Sequence, residues 1–228
     1  MNHGHLWIIP TPLGNLGDFS KRTLETLKNL TVVAAEDTRE CRKIYSHFEM
    51  PTPHLIRCDE ACERKAAEQI IKSLEEGTDV GFITDAGTPS VSDPGWRLVD
   101  SITKAGFLAI PLTGPSAVTT ALSVCHFPTT PFMFQGFLDR KEGRRKKEMQ
   151  SMLDFLGASV FFESPHRIQR TMQELAELSP DRQVVVGREM TKKFEEYMRG
   201  SLTEVSQHIT QKKPLGEYTI VLSPSKIK

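Results

Sequence analysis

Residues 80–104 read VGFITDAGTPSVSDPGWRLVDSITK. The first five residues form a short apolar run typical of a buried strand, and residues 96–104 have the apolar spacing of an amphipathic helix. An eleven-residue loop, 85–95, joins the two and holds two glycines, two prolines and two aspartates. Strand, loop and helix in this order predict a parallel α/β sheet, and such sheets bind ligands at the carboxyl ends of their strands.

The same alternation extends over the chain and predicts two α/β domains, 1–113 with a mainly parallel sheet and 114–228 with a mixed sheet. The predicted elements of the first domain are strands 6–9, 31–35, 54–58, 80–84 and 108–112 and helices 18–30, 39–48, 63–74 and 96–104. Those of the second are helices 143–155, 167–178 and 202–210 and strands 159–162, 183–187, 195–199 and 218–222. Residues 127–137, rich in phenylalanine and proline, are interpreted as a connecting segment.

The composition is that of a globular protein. Of the 228 residues 38% are hydrophobic, and 29 basic residues balance 29 acidic ones. No apolar run approaches the length of a membrane span, and the four cysteines lack the spacing of a disulfide framework. We therefore expect a cytoplasmic protein with reduced thiols and no membrane contact.

One dense basic cluster stands out from the balanced charge. Residues 139–148 contain six basic and three acidic side chains. The cluster is either a solvated helix face or a surface that binds the phosphates of a nucleic acid. Its basic members are Arg140, Lys141, Arg144, Arg145, Lys146 and Lys147.

Four turns beside predicted strands are rich in glycine and proline: 10–18, 85–95, 113–117 and 215–217. Glycine lets the backbone approach a ligand closely, and proline fixes the turn. The chain has no GxxxxGK[ST] loop and no GxGxxG after a strand, so ATP and NAD are poorly supported. The turns are either ordinary strand-to-helix connections or parts of one binding site for another ligand.

The ordered set of motifs resembles the tetrapyrrole methylase superfamily, and in particular its branch of 16S rRNA (cytidine-2′-O)-methyltransferases. The segments that carry the resemblance are 10–18, 35–39, 85–89, 92–95, 114–117, 162–167, 188–192 and 216–217. The resemblance implies a homodimer that acts on 16S rRNA in the small ribosomal subunit. It also implies that S-adenosyl-L-methionine, the methyl donor, binds in a cleft between the two domains.

Carried over position by position, the resemblance implies that four groups of residues contact the donor. The first two groups lie in the turns at 10–18 and 85–95, the third follows residue 113, and the fourth belongs to the second domain. Their members are Thr11, Pro12 and Gly14; Asp85, Gly87, Thr88 and Val91; Ser116 and Ala117; and Glu163, Gly187, Arg188 and Gly216.

Three charged residues, Glu36, Asp37 and Arg39, follow a predicted apolar strand and are the candidate catalytic group. A carboxylate at this point can accept the proton of a ribose 2′-hydroxyl, while the arginine holds a phosphate. The alternative is that Asp37 or Thr38 is simply a helix N-cap and Glu36 favours the helix dipole. A similar choice applies to residues 163–167, where Ser164 is a candidate cap and His166 a less supported base.

The sequence departs from the rRNA branch of the family at residues 57–62, which lack its histidine-containing element. Cys58 and Cys62 are spaced unlike a zinc pair, so we interpret them as reduced thiols and expect no metal. Two other functions stay open: a methyltransferase acting on carbon atoms of porphyrin or corrin precursors, and a non-catalytic, donor-sensing adaptor on the ribosome.

Overall fold

The computed structural model describes residues 3–226. By its internal contacts the chain divides into two compact units, the first ending at Ser116 and the second beginning at Ala117. The first unit contains strands β1 (Leu6–Ile8), β2 (Val32–Ala35), β3 (His54–Arg57), β4 (Val80–Ile83) and β5 (Ala109–Pro111). Its helices are α1 (Lys21–Asn29), α2 (Thr38–His47), α3 (Glu63–Glu75) and α4 (Trp96–Lys104).

The sheet of the first unit has the order β3-β2-β4-β1-β5, and every neighbouring pair is parallel. Successive residues of each strand face opposite sides, so Phe82 packs under α3 and α4 while Ile83 packs under α1 and α2. Helices cover both faces, which explains why the strands are apolar along their whole length. All strands therefore end at one edge, and the loops that follow them meet there.

The second unit contains α5 (Ala117–Leu122), β6 (Phe132–Phe137), α6 (Glu142–Asp154), β7 (Ala158–Glu163), α7 (Ile168–Leu178), β8 (Gln183–Arg188), β9 (Glu196–Ser201), α8 (Leu202–Thr210) and β10 (Tyr218–Leu222). Its sheet has the order β6-β7-β10-β8-β9. β6 is parallel to β7, and the other neighbouring pairs are antiparallel. This arrangement confirms the predicted mixed sheet.

Helices α6, α7 and α8 pack against one face of the second sheet, where Met149, Met172 and Val205 are buried. The short helix α5 covers the other face through Val118 and Ala121. Three of the predicted helices thus form one layer, and the turn after residue 113 opens a helix, as expected.

Two sequence predictions are wrong in detail. Residues 127–137 are not only a connection, because Phe132–Phe137 is the edge strand β6, with Phe132 and Phe137 exposed. An edge strand needs one partner only and tolerates the proline that precedes it. The helix predicted at 18–30 begins later, since the Ser20 side chain accepts the Thr23 N–H and caps α1.

No helix within residues 3–226 is long and apolar enough to cross a lipid bilayer.

Candidate functional site

Hydrogen bonds join three of the motif loops at the carboxyl edge of the first sheet. Thr11, after β1, and Gly87, after β4, exchange two backbone hydrogen bonds of 2.9 Å. The Thr88 hydroxyl donates to the Pro115 carbonyl at 2.9 Å and so attaches the loop after β5. Gly87 has a φ of +80°, a conformation that favours glycine. These hydrogen bonds therefore connect three loops, each of which holds residues that the sequence predicts to contact the donor.

The remaining predicted donor contacts of the first unit lie in the same loops. Pro12 is buried beside Thr11, whereas Gly14 and Val91 are exposed and Ser116 is partly buried. The Thr11 hydroxyl donates to the Thr84 carbonyl at 3.0 Å, which anchors the first loop to the end of β4. Contact of these residues with a methyl donor stays a prediction.

A buried glutamate that the sequence analysis missed holds the far end of loop 85–95. Glu63 begins α3, and its Oε1 accepts the Gly95 N–H at 2.7 Å, while its Oε2 lies 3.4 Å from Arg97 Nη1. Gly95 has a φ of +141°, and a Cβ there would collide with Ser90 and Phe82. The loop is thus fixed at both ends, and no sequence pattern signalled the burial of Glu63.

The edge carries a set of carboxylates. Glu36 follows β2, and its Oε2 accepts the Asp85 N–H at 3.3 Å. Burial raises the pKa of Glu36, and the negative charges of Asp85, Asp93 and Asp59 raise it further. Burial also raises the pKa of Asp85, with a smaller contribution from the charge of Asp37. The field at this edge is therefore negative and favours a cation or a proton.

Asp37 and Arg39 behave differently from Glu36. The Asp37 carboxylate caps α2 by accepting the Arg39 N–H at 2.8 Å, and the Arg39 guanidinium donates to both of its oxygens, the shortest contact being 2.6 Å. These hydrogen bonds hold the pKa of Asp37 well below its usual range. The structure thus gives Asp37 the capping role that the sequence analysis considered as its alternative.

One buried hydroxyl at this edge lacks a hydrogen-bond partner in the part of the chain that the structure describes. Thr84 is 1% exposed, and its Oγ1 makes no hydrogen bond within the described residues. A buried polar atom without a partner costs about 1–3 kcal/mol, so such atoms commonly mark places where a ligand or water binds. Thr84 was not among the predicted site residues, because a threonine that ends a strand carries no distinguishing pattern.

In the second unit, Glu163 lies at the end of β7 with its carboxylate fully engaged. Its Oε1 accepts the Ser164 N–H and Arg167 Nε, both at 2.8 Å, and its Oε2 accepts the Thr171 hydroxyl at 2.8 Å. Arg167 also donates to the Leu138 carbonyl at 2.9 Å. This carboxylate joins β7, α7 and the residue after β6, and the donor contact that the family resemblance implies for it stays a prediction.

Gly187, Arg188 and Gly216 come together near the start of β10. Arg188 Nε donates to the Leu215 carbonyl at 2.7 Å, and its Nη1 lies 3.2 Å from Glu196. A Cβ at Gly187 would collide with Met190, and one at Gly216 with Glu189. Tyr218 pairs with both Glu163 and Arg188, so all four predicted residues from β7, β8 and the turn before β10 share one edge of the second sheet.

Every motif segment that carries the resemblance lies either at the carboxyl edge of the first sheet or at the edge of the second sheet near the start of β10. The family model for "Tetrapyrrole (Corrin/Porphyrin) Methylases" matches residues 5–206 of this chain. The chain belongs to the tetrapyrrole methylase family. The predicted family is thereby confirmed.

Two relatives of this family member carry the name of a ribosomal RNA methyltransferase. Ribosomal RNA small subunit methyltransferase I of Thermotoga maritima is 40% identical over 220 residues, which are 96% of this chain and 98% of that protein. The protein of the same name from Bacillus subtilis is 37% identical over 222 residues, 97% of this chain and 76% of that protein.

A solved structure supports the tetrapyrrole methylase fold. Uroporphyrin-III C-methyltransferase from Thermus thermophilus, complexed with S-adenosylhomocysteine, matches with a TM-score of 0.66. The match covers 96% of this chain and 97% of that chain at 14% sequence identity. At this identity the comparison shows the fold alone, and it confirms the predicted two-domain α/β architecture.

The basic cluster of this tetrapyrrole methylase lies on and before α6, and its members are not equivalent. Arg145 is buried and forms a two-pronged salt bridge with Glu174, with Nε–Oε2 and Nη2–Oε1 distances of 2.9 Å. Arg145 therefore fits neither alternative for the cluster, solvated side chain or phosphate contact, because its guanidinium faces the protein interior. Arg140, Lys141, Arg144, Lys146 and Lys147 are exposed.

Residues 57–62, the segment that departs from the family pattern, are held by hydrogen bonds among themselves. Asp59 Oδ2 accepts from Arg57 Nε at 2.7 Å, and Asp59 Oδ1 accepts the Cys62 N–H at 3.0 Å. Cys58 and Cys62 are free thiols, and burial raises the pKa of Cys58 to about 12. No group of three or more metal-ligating side chains occurs within the described part of the chain.

Proposed function

We propose that this protein uses S-adenosyl-L-methionine to methylate the ribose 2′-oxygen of a cytidine in the 16S rRNA of the small ribosomal subunit. The observation that carries the proposal is the joining of the loops after β1, β4 and β5 by the Thr11–Gly87 bridge and the Thr88–Pro115 hydrogen bond. The names of the relatives that match nearly the whole chain support the RNA substrate.

The residues at the first edge fit a cationic donor. S-adenosylmethionine carries a sulfonium, and when bound it supplies an electrophilic methyl group. The carboxylate of Asp85 provides a negative charge, and Thr84 offers a buried hydroxyl that lacks a partner among the described residues. The S-adenosylhomocysteine bound by the uroporphyrin-III enzyme supports the same choice of donor.

The chain's own residues then have separable tasks. The loops at Thr11 and Gly87 bind the donor through backbone groups that the bridge holds in place. The charged residues after β2 orient the ribose and receive its proton, which aligns the acceptor and strengthens it as a nucleophile. Donor contacts by Glu163, Gly187, Arg188, Gly216 and Ala117 stay predictions.

We also propose that the protein works in the cytoplasm as a homodimer, as the family resemblance implies. Light scattering coupled to size-exclusion chromatography measures the dimer directly. A monomer at micromolar concentration would remove the dimer from this proposal and leave the reaction untouched.

Transfer of labelled methyl groups to small ribosomal subunits that lack the modification tests the reaction. We expect label in 16S rRNA at one cytidine, with the 2′-O-methyl group revealed by resistance of the adjacent phosphodiester to alkali. Label in a porphyrinogen instead would support the tetrapyrrole substrate. Donor binding without transfer to either acceptor would support the adaptor.

Gly87→Val should weaken binding of S-adenosylmethionine about 10- to 100-fold, because a branched side chain at positive φ costs roughly 1–3 kcal/mol and disturbs the bridge to Thr11. Isothermal titration calorimetry measures the affinity, and a single cooperative melting transition shows that the fold persists. Gly106→Val is the matched control, since Gly106 also has a positive φ but a Cβ there meets nothing within 4 Å. Equal donor affinity in both variants would contradict this placement of the donor.

The double variant R144E/K147E should weaken binding of 16S rRNA and flatten its dependence on salt. Each lost phosphate contact removes roughly 0.7–0.9 from the slope of log affinity against log salt concentration. Filter binding over a salt series gives the slope, and Lys28→Glu, an exposed change on α1, is the control. An unchanged slope with normal methylation would make this cluster a solvated surface.

A further inference from the structure

We propose that Glu36 is the group that accepts the proton of the attacking ribose 2′-hydroxyl, and that Asp37 is a positioning residue that holds Arg39. The inference rests on the proposed function and assigns separate roles to two neighbouring carboxylates. Sequence alone does not separate them, since both follow the same strand and precede the same helix.

Both oxygens of the Asp37 carboxylate already accept hydrogen bonds. One of its oxygens accepts the backbone N–H of Arg39 at 2.8 Å and the Arg39 Nε at 3.0 Å. The other accepts Arg39 Nε at 3.1 Å and Nη2 at 2.6 Å. A carboxylate held in this way is a weak base, because accepting a proton would break charge-assisted hydrogen bonds and uncap α2.

Glu36 has the opposite surroundings. Its backbone N–H donates to Ile83 O at 3.2 Å, which extends the pairing of β2 with β4 beyond the strand. Its carboxylate is partly buried, and its Oε2 accepts one long hydrogen bond of 3.3 Å from Asp85 N–H. No lysine or arginine within residues 3–226 forms a salt bridge with it. This carboxylate is thus held in place without being neutralised.

The sheet register places Glu36 in the middle of a row. Ala35 pairs with Arg57 on β3 and with Ile83 on β4. The residues that follow these three are Glu36 after β2, Cys58 after β3 and Thr84 after β4. Side chains at equal register face the same side of a sheet. The carboxylate therefore emerges at the edge between two buried polar groups, next to the loop that we assign to the donor.

Asp37 and Arg39 follow Glu36 at the start of α2 and bond to each other, while burial and, in smaller part, the charge of Glu36 raise the pKa of the Cys58 thiol. Three carboxylates act on Glu36 through their negative charge: Asp85 and Asp93 in the loop after β4, and Asp59 after β3. Burial and these like charges raise the pKa of Glu36, which makes it a stronger base than an exposed glutamate.

The step balances without another reactant. The 2′-oxygen forms a bond to the methyl carbon, and the electron pair of the breaking carbon–sulfur bond stays on sulfur. The hydroxyl proton moves to the Glu36 carboxylate and leaves later to water. Arg39, held by Asp37, is placed to pair with a phosphate of the RNA.

Glu36→Gln tests the assignment, because glutamine keeps the shape and the acceptor oxygen but cannot take a proton at neutral pH. We expect kcat for methylation of small subunits to fall about 100-fold or more, with the donor Kd and the KM for subunits changed less than about threefold. Asp37→Asn should raise the KM for subunits and lower kcat less than tenfold. Glu68→Gln, an exposed change on α3, is the control.

A pH profile provides the second measurement and does not depend on the folding of the Glu36 variant. Wild-type kcat/KM should fall as the pH drops through the raised pKa of Glu36, because the protonated carboxyl accepts no further proton. Asp93→Asn removes one of the negative charges that raise the pKa of Glu36. This variant should therefore shift the acidic limb to lower pH, whereas Glu68→Gln should leave it unchanged.

The outcomes separate this inference from the proposed function. If the wild-type protein transfers no methyl group to the subunit, the proposed function fails. If the wild type is active and Glu36→Gln keeps kcat within tenfold, or if the acidic limb of Asp93→Asn coincides with that of the wild type, the assignment of Glu36 alone is overturned.

Discussion

Alanine in place of Glu163 should lower the free energy of unfolding by about 3–5 kcal/mol, the range for breaking a buried ion pair. The side chain of Glu163 is 0% exposed, and the change leaves Arg167, the Thr171 hydroxyl and the Ser164 N–H without their acceptor. Urea unfolding followed by circular dichroism measures the loss, which we expect in the transition of the second unit.

Glu177→Ala on α7 is the control for Glu163→Ala, because Glu177 is exposed and its change should cost less than about 0.5 kcal/mol. Glu163→Gln keeps one acceptor, and unchanged donor affinity in the folded variant would limit Glu163 to joining β7, α7 and the residue after β6. A folded Glu163→Gln protein that no longer binds S-adenosylmethionine would instead support the donor contact implied by the family resemblance.

Arg145→Ala is the second change with a large expected effect, about 3–5 kcal/mol, since it removes a buried guanidinium, leaves a cavity and takes two hydrogen bonds from the Glu174 carboxylate. The Arg145 side chain is 4% exposed, and besides its two bonds to Glu174 it donates to the Arg140 carbonyl at 3.2 Å. Charge reversal at this position should be more severe, because two carboxylates would then face each other. Thermal and urea unfolding measure both variants.

Arg170→Ala gives a matched comparison for Arg145→Ala. Arg170 pairs with the same Glu174 at 2.8 Å, but its side chain is 60% exposed. Exposed pairs contribute about 0–1 kcal/mol, so this change should be nearly neutral. Equal losses in the two variants would show that burial does not distinguish the two guanidiniums.

The fold was predictable because period and composition agree along most of the chain. The apolar runs around Val33, Phe82 and Val185 are buried strands in the structure. In α4 the buried apolar residues Leu98 and Ile102 recur with the spacing of a helix. The pattern failed at Phe132–Phe137, where prolines and exposed phenylalanines concealed an edge strand. Because an edge strand is partly exposed and tolerates a neighbouring proline, its composition resembles that of a linker.

The candidate site was predictable as a set of loops and not as a set of contacts. Glycine and proline mark the turns that contain Thr11 and Gly87. No pattern says that Glu63 is buried or that Thr84 lacks a partner among residues 3–226. Arg145 did carry a signal. It lies four and seven residues before Met149 and Met152 and so shares their buried helix face, but its charge directed attention to the surface.

The position of β10 has a consequence for biosynthesis. The last strand in sequence lies at the centre of the second sheet, between β7 and β8. A nascent chain that has emerged only as far as α8 presents both neighbours as open edges with unpaired backbone groups, which invite pairing with other chains. The first unit is complete by residue 116 and can fold as soon as it leaves the exit tunnel, whereas the second must wait for residues 218–222. We therefore expect pairing with other chains to be most frequent in the interval before β10 joins β7 and β8.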